Sequence, residues 1–548
     1  MTLPQQPTRP VRFLSIGGIA ERRRTPAGRW RLHVRWGRVA LILIALAVLG
    51  WTAKSAALYY VFKWQRGFDD IRIAEVVRFP LNRATVRERL GNHHIEMAHN
   101  HLEAGDYRSA NYYARLGLVR SPGNVDGRLL VAQFSAFTRP DLAVRVLEEG
   151  LDYAGENVDY LRTFLRLLLH LEMDDKVRAV AAERLPLEPE LTLYNRMLAL
   201  AAAQANFHRG AYDRAEELVT RFRLDTTAEG TVLLSRIDWN RGQRESAVHR
   251  LERFSQRAPG PEMDPVYALI TRYYREMDRL DSARRFGIIR SLHNPHSAHP
   301  RIDLLYLAQR AGEHERVERE AAEILAQFPR DQAALRALAV FAKDSGNTKL
   351  AGRIFEQARN SEFDPAVFKL LHLESHIVAG AFESVIQACN ELLQQNPEWL
   401  EQHMPSFHSL RSIAYYGAGN RDLGAHYLDR YLQSGTLRVN GLLAVSRYLR
   451  NLDLPRVARR VLSHGHRMEP SNQAALSAIV ELDLEQGESR ELAHNLRELL
   501  LLRRPSYDLL RRAYRELSSD RFLFAPEREN LLDKLGAALA EANPPPER

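Results

Sequence analysis

Histidine is the residue with metal-binding chemistry that clusters in this sequence. Two groups have the close spacing of metal ligands, and they are His93, His94, His99 and His101 with Glu96 in a predicted helix, and His293, His296 and His299 in a Pro-containing loop. Side chains that bind one ion must converge on one point. On the helix, the face that carries His94 and His101 diverges from the face of His99. We therefore interpret both groups as polar surface or helix packing, and we expect no metal ion and no cofactor.

The sequence has no recognisable enzyme signature. It contains no Gly-x-Ser-x-Gly nucleophile elbow, no Gly-rich phosphate loop and no His-Glu-x-x-His zinc motif. Its single cysteine, Cys389, has apolar neighbours in a predicted helix, which indicates a small buried side chain and excludes an intrachain disulfide. We therefore predict that the protein is not an enzyme.

Small or apolar residues recur about every 34 positions through most of the chain, with gaps from 32 to 39 residues. We name them the register residues, and they are Ala110, Ala143, Val177, Ala215, Ala247, Ala283, Val317, Ala351, Val385, Gly424, Ala458 and Leu492. A constant period of this length is typical of stacked repeats, in which neighbouring units share one continuous core. The sequence therefore predicts one helical repeat array in place of several globular domains.

A second pattern accompanies the period. The first unit shows it most fully, with Ala98, Gly105, Tyr107, Ala110 and Pro122 in order. Other units repeat the turn glycine five positions before the register residue, at Gly210, Gly242, Gly312, Gly346 and Gly380. Over roughly residues 85–520 the pattern resembles the tetratricopeptide repeat family. The resemblance implies an all-α superhelix of about 12 helix–turn–helix units. Two units depart from it, because the Val177 unit has no turn glycine and the Leu492 unit has no small register residue.

In that family the first helix of each unit lines a concave groove, and the resemblance implies a groove here too. Carried over by register, it selects Arg236, Trp239, Asn240, Arg272, Arg275, Tyr306, Arg310, Arg336, Lys343, Tyr416, Arg447 and Arg450. A basic stripe with aromatic side chains suits an acidic peptide or polysaccharide, because the guanidinium fork pairs carboxylates bidentately. The alternative is that these arginines pair with acidic residues of neighbouring repeats. The Lys/Asn set of the family's carboxylate clamp is not matched, so chaperone-tail binding is not implied.

An apolar segment follows a strongly basic N-terminus. Residues 1–38 hold nine arginines and one acid, which accounts for +8 of the formal +9 charge. The repeats are therefore nearly neutral, and we expect no nucleic-acid binding. As a helix, residues 39–62 span about 36 Å, against roughly 30 Å of bilayer hydrocarbon. We predict a transmembrane helix in which Lys54 snorkels to the interface. A buried soluble helix and a signal peptide cleaved near residues 55–57 stay open as alternatives.

The positive-inside rule keeps the basic segment in the cytoplasm and places the repeats across the membrane. Only seven of the 77 basic residues are lysines, which fits a GC-rich bacterial genome, so we expect an inner-membrane protein with a periplasmic array. The predicted organisation is a basic cytoplasmic tail (1–38), a transmembrane helix (39–62), a juxtamembrane connector (63–84), the repeat array (85–505), capping helices (506–540) and a disordered tail (541–548).

These expectations lead to two functional hypotheses. The first is a membrane-anchored scaffold that binds cell-envelope proteins in its groove, in envelope assembly, secretion or polysaccharide export. The alternative is a binding module for acidic polysaccharide through the arginine-rich groove.

Overall fold

The structure is a computed structural model that describes residues 13–16, 20–24, 30–65, 71–78, 82–257, 263–435, 437–488 and 490–542. The predicted disordered tail lies, from residue 543 onward, outside the described residues. The chain divides into two compact units, Met1–Leu167 and Leu168–Arg548.

A small antiparallel sheet precedes the helices, and the prediction for residues 1–38 did not include it. Its strands are β1 (Phe13–Ile16), β2 (Ala20–Arg24) and β3 (Trp30–Val34), in the order β1-β2-β3. Strands β2 and β3 pair in register from Ala20 opposite Val34 to Arg24 opposite Trp30. The sequence of β3 alternates apolar and basic residues, which is the period-two pattern of a strand.

One helix among the described residues is long and apolar enough to cross a membrane. This helix, α1 (Trp36–Tyr60), continues through a π-helical turn (Val61–Gln65). Its most apolar 18-residue window has a mean hydropathy of 1.9, and none of that window is buried. Lys54 lies inside the helix, with its Nζ atom 5.8 Å from the ring centroid of Trp51.

The end of α1 is packed into the start of the array. A short helix, α2 (Ile73–Val77), lies between α1 and α3 (Arg83–Glu103). Four buried side chains from α3, the connector and the π-helical turn form one apolar cluster, and they are Phe62, Ile71, Val76 and Leu90. The indole Nε1 of Trp51 donates to the carbonyl of Val77 at 3.2 Å. Helix, connector and first repeat therefore share a core within the first unit.

The rest of the chain is a succession of antiparallel helix pairs. The first unit continues with α4 (Tyr107–Arg120), α5 (Val125–Ser135), α6 (Pro140–Glu148) and α7 (Leu151–Ala154), and α8 (Val158–His170) contains the boundary between the units.

The second unit contains all the remaining helices. They are α9 (Asp174–Arg184), α10 (Leu193–His208), α11 (Tyr212–Arg221), α12 (Ala228–Asn240), α13 (Arg244–Ser255), α14 (Asp264–Glu276), α15 (Leu280–His293), α16 (His299–Arg310), α17 (His314–Gln327), α18 (Gln332–Asp344), α19 (Thr348–Asn360), α20 (Pro365–Val378), α21 (Phe382–Gln395), α22 (Met404–Gly417), α23 (Arg421–Leu432), α24 (Val439–Asn451), α25 (Pro455–Met468), α26 (Gln473–Gln486), α27 (Leu492–Leu501), α28 (Tyr507–Ser518) and α29 (Arg528–Ala542). Short 3₁₀ turns stand at Leu224–Thr226, Glu398–His403 and Asp520–Phe522.

The register residues explain why these helices pair. Each of the twelve lies in the second helix of a pair, and each is buried. The eleven that carry a side chain are at most 3% exposed, and the glycine among them, Gly424, is buried too. Small side chains at these points let the two helices approach closely. The predicted fold class, an all-α repeat array of about 12 units after one apolar helix, is confirmed, as is the fold that the tetratricopeptide resemblance implies.

A left-handed residue ends the first helix of eleven of the twelve units, five positions before the register residue. In the first unit Gly105 has φ +77°, and the amide of Asp106 donates to the carbonyl of His101 at 2.8 Å. This is the hydrogen bond of a Schellman cap. Eight of the eleven residues are glycines, and the others are Glu172, Asp278 and Asp453. The unit of Val177, which has no turn glycine, therefore makes the same turn with Glu172.

Candidate functional site

The residues selected by register all lie on first helices of the second unit. Their helices are α12, α14, α16, α18, α22 and α24. First helices of successive pairs pack against one another more closely than second helices do, apart from α14 with α16 and from α27 with α29. A stack whose first helices crowd together bends toward them. We name the first helices of the second unit the inner helices, and all twelve selected residues lie on them. That they line a concave groove stays a prediction.

Two positions recur among the selected residues. Eleven residues before the register residue stand Arg236, Arg272, Tyr306 and Arg447, and eight residues before it stand Trp239, Arg275, Lys343, Tyr416 and Arg450. Because positions three apart share a helix face, these two columns form one stripe. The other three, Asn240, Arg310 and Arg336, lie seven, seven and fifteen positions before their register residues.

Half of the eight basic residues in the set are paired with acids. Arg272 contacts Glu276 at 2.7 Å and Arg310 contacts Asp278 at 3.0 Å. The other two pairs are Lys343 with Asp344 at 2.7 Å, and Arg450 with Glu481 and Glu485 at 3.2 and 2.8 Å.

The other four basic residues are Arg236, Arg275, Arg336 and Arg447, and none has an acidic partner within 4.0 Å among the described residues. Three of them are exposed, and Arg275 is half-buried. Pairing across repeats therefore applies to Arg310 and Arg450, whereas Arg272 and Lys343 pair within their own helices. Binding by the other four stays a prediction.

The tyrosines of the set take part in packing. The ring of Tyr416 lies over Gly424, where an added Cβ would come within 2.7 Å of it, and burial raises the pKa of the Tyr416 hydroxyl. The hydroxyl of Tyr306 donates to Oδ2 of Asp344 at 2.7 Å, and its ring stands edge-on to Phe341 at 4.9 Å between centroids. Tyr416 therefore helps hold its own helix pair together, and Tyr306 links neighbouring first helices.

A hydrogen bond links the first helices α20 and α24. The hydroxyl of Tyr448 donates to Oε2 of Glu374 at 3.0 Å, although α20 and α24 are two pairs apart. Burial raises the pKa of Glu374, despite the nearby charge of Lys343 and the bond from Tyr448. Arg447 and Arg450 line a neighbouring cavity of about 560 Å³.

Four of the selected residues line a larger cavity of about 850 Å³, and they are Arg236, Trp239, Asn240 and Arg272. Trp239 stacks on Tyr273 with ring centroids 3.9 Å apart and an interplanar angle of 6°. The guanidinium of Arg244 lies over Trp239, 5.2 Å from the ring centroid. Burial raises the pKa of Tyr273, although Arg236 and Arg272 act in the opposite direction. The cavity is therefore a basic site with a rigid aromatic wall.

The other wall of this cavity is α28, because the second unit closes on itself. Two helices near its start, α9 and α10, meet the segment between α27 and α28 along a seam, where Arg503 donates to Oδ2 and Oδ1 of Asp174 at 2.8 and 2.9 Å. Arg209 donates to the carbonyls of Leu501 and Leu502, at 2.9 Å each. Burial alone would raise the pKa of Asp174, but hydrogen bonds from His208 and Arg503 bring it below its usual value. Sequence reasoning missed the seam.

His94, His293 and Cys389 take part in packing and hydrogen bonding within the helices. Buried His94 has its Nδ1 against the carbonyl of Leu90 and stacks on Tyr113, with centroids 6.0 Å apart. Nδ1 of His293 lies 2.8 Å from the carbonyl of Ile289. Over the part of the chain that the structure describes, no group of three ligand-type side chains converges as a metal site. Burial raises the pKa of Cys389 to about 12, which keeps this thiol protonated.

No family model matches the sequence, and no curated protein matches it. Among solved structures, the chain is similar to the Cut9–Hcn1 hetero-tetramer of the APC/C, at 13% identity and a TM-score of 0.30, covering 82% of this chain and 86% of that one. Yeast Tom70 gives 10% identity and a TM-score of 0.30, covering 82% and 96%. Naa15/Naa10 bound to HypK-THB gives 15% identity and a TM-score of 0.27, covering 82% and 78%. These TM-scores are too low to support an argument, so the repeat architecture is inferred from the helix pairs of this structure alone.

Proposed function

We propose that the protein is a membrane-anchored scaffold that binds acidic segments of partner proteins along the inner helices of its second unit. One observation carries the proposal: Arg236, Arg275, Arg336 and Arg447 lie on these helices with no acidic partner within 4.0 Å among the described residues. An unpaired guanidinium can accept a carboxylate without first breaking an ion pair of its own. The stacked helices are preformed, so little ordering of the scaffold opposes binding.

The partner is expected to be extended and acidic. The unpaired arginines lie on α12, α14, α18 and α24, so a ligand must follow several repeats to meet more than one of them. An extended protein segment with spaced Asp or Glu side chains fits this arrangement.

The anchor supports a location in the cell envelope. Eight arginines precede the apolar helix α1 and a ninth, Arg38, lies in its first turn, and this order favours a cytoplasmic N-terminus and periplasmic helix pairs. Anchoring raises the effective concentration of the scaffold for partners in the same membrane, which suits envelope assembly, secretion or polysaccharide export. Fusing a reporter that is active only outside the cytoplasm after residue 548 tests this. An inactive reporter would overturn the orientation.

An acidic polysaccharide is the second candidate ligand. Arginine stands eleven positions before the register residue at Arg236 and Arg272 in adjacent units and at Arg447 five units further on, an arrangement that a long polymer of carboxylates fits. Binding of a peptide probe and of a polysaccharide probe distinguishes the two candidate ligands.

The experiment measures retention of two probes, a poly-glutamate peptide and polygalacturonate, on the full-length protein in detergent at low salt. The test variant replaces Arg275, Arg336 and Arg447 by alanine. A matched control replaces Arg319, Arg353 and Arg421, which are exposed on second helices. We expect the test variant to bind the preferred probe at least about tenfold more weakly, and the control to bind like the parent. Equal binding by test and control variants would show that the inner arginines do not form the site.

A further inference from the structure

The 850 Å³ cavity has two walls that come from opposite ends of the second unit. One wall consists of the ends of α10, α12 and α14 with the start of α13, and includes Arg236 and Arg244. The other consists of Ser506 and the first turns of α28, and includes Arg511. A volume of several hundred cubic ångströms is that of a small-ligand site.

The cavity keeps an excess of positive charge after its internal ion pairs are counted. Arg241 contacts Asp213 and Glu216 at 2.6 and 2.8 Å, and Arg272 contacts Glu276. Three lining arginines, Arg236, Arg244 and Arg511, have no acidic partner within 4.0 Å among the described residues, and Asp508 is the one other lining acid. The buried Nε of Arg241 also has no hydrogen-bond partner there.

One of these arginines is held in place by aromatic packing. The guanidinium of Arg244 lies 5.2 Å from the ring centroid of Trp239, and Trp239 stacks on Tyr273. Tyr273 is only 3% exposed, so this stack is anchored in the core. A guanidinium that rests on an aromatic face loses little freedom when its N–H groups take an oxyanion.

The opposite wall contains the N-terminus of α28 as well as Arg511. The side chain of Ser506 caps α28 by accepting from the amide of Leu509 at 3.3 Å. The start of this 12-residue helix therefore contributes partial positive charge to the same cavity as Arg511.

The contacts of the seam join the two walls. Besides the bidentate Arg503–Asp174 pair, the amide of Arg504 donates to the carbonyl of His208 at 2.6 Å, and Tyr507 packs against the apolar core of α10 to α12. If the seam opened, Arg511 would move away from Arg236 and Arg244. The complete site therefore exists only in the closed unit.

We propose that this cavity binds a small ligand with at least two oxyanions, phosphate or carboxylate, one held by Arg236 and Arg244 and the other by Arg511 and the start of α28. Such a ligand bridges the two ends of the second unit and holds the seam closed. The cavity shares Arg236 with the proposed scaffold site, whereas Arg275, Arg336 and Arg447 do not line it.

The first experiment measures binding of pyrophosphate and, in parallel, of citrate to the full-length protein in detergent by calorimetry. The preferred probe identifies phosphate or carboxylate as the ligand group. We expect Arg244→Ala and Arg511→Ala each to weaken its binding at least about tenfold, because each removes the contact to one oxyanion. The controls are Arg253→Ala on α13 and Arg515→Ala on α28, which lie outside the cavity lining and should bind like the parent. Equal weakening in test and control variants, or no binding of either probe, overturns the proposal.

A second readout tests the bridge. Binding of the preferred probe should slow amide hydrogen exchange in both α10 and α28 of the parent, and it should slow neither in Arg244→Ala. Slowing on one wall alone would show that no bridge forms. The variant of the scaffold test, with Arg275, Arg336 and Arg447 replaced, should bind the probe normally, so that failure of the scaffold proposal and failure of this one are distinguishable.

Discussion

Replacing Arg503 by alanine should open the seam of the second unit. The side chain donates twice to Asp174, and once to the carbonyl of Leu169 at 2.7 Å. Asp174 is 1% exposed, so its carboxylate would lose its main partner while staying buried. Removing one partner of a buried ion pair typically costs about 3–5 kcal/mol. Because the side chain of Arg503 is 17% exposed and His208 still lies 3.3 Å from Asp174, we expect a cost near 3 kcal/mol.

Hydrogen exchange locates the effect of Arg503→Ala. A loss of about 3 kcal/mol that acts only on seam opening corresponds to roughly a hundredfold faster exchange in α9, α10 and α28. Helices α18 and α19, which take no part in the seam, should exchange at the parent rate. The control is Arg497→Ala, since the pair of Arg497 with Glu527 is 42% and 44% exposed and should be worth at most about 1 kcal/mol.

A double variant adds a further check. In Asp174→Leu with Arg503→Met no charge remains buried, so much of the stability lost in Arg503→Ala should return. Parent-like exchange in α28 of Arg503→Ala, or acceleration spread equally over α18 and α19, would refute the view that this pair holds the seam.

Three further predictions concern the turns, the helix pairs and pH. Asp453→Gly should stabilise by about 0.5–1 kcal/mol in urea unfolding, because glycine adopts φ +56° without strain, whereas Gly419→Ala at φ +84° should destabilise by a similar amount. If the two changes had the same sign, the turn argument would fail. Ala283→Leu, at a fully buried register position, should cost about 1–3 kcal/mol by overpacking, while exposed Ala333→Leu should be near neutral; equal costs would contradict close packing. Since the pKa of Asp174 is lowered in the folded state, its stabilisation is present above the unfolded value of about 3.9 and is lost as pH falls through the folded pKa. Exchange at the seam should therefore accelerate below about pH 4 in the parent and change less in Asp174→Asn.

Much of the fold could be predicted because one small or apolar residue recurs at the same position of each repeat. A small side chain is needed wherever two helices touch, and this requirement recurs in every unit, so the register residues identify the second helices. The same argument succeeded for turns that use glycine. It did not identify the turns at Glu172, Asp278 and Asp453, because a search for glycine misses other residue types that adopt the left-handed conformation.

The candidate site could be predicted only in part. Register assigned the twelve residues to first helices, since helical position follows from spacing alone. Pairing could not be predicted, because Arg310 meets Asp278 across 32 positions, a contact that depends on how neighbouring repeats stack. The seam could not be predicted at all, because Arg503 and Asp174 are 329 positions apart and no local sequence pattern indicates their contact.

The buried cluster at the end of α1 determines how the first repeat can move. Phe62 from the π-helical turn packs with Ile71, Val76 and Leu90, and the indole of Trp51 is bonded to the carbonyl of Val77. Where α1 crosses the bilayer as proposed, this packing prevents α1 and the first helix pair from rotating independently. The first helix pair must then tilt and turn together with the membrane helix, and its orientation toward the lipid surface is set by side-chain packing.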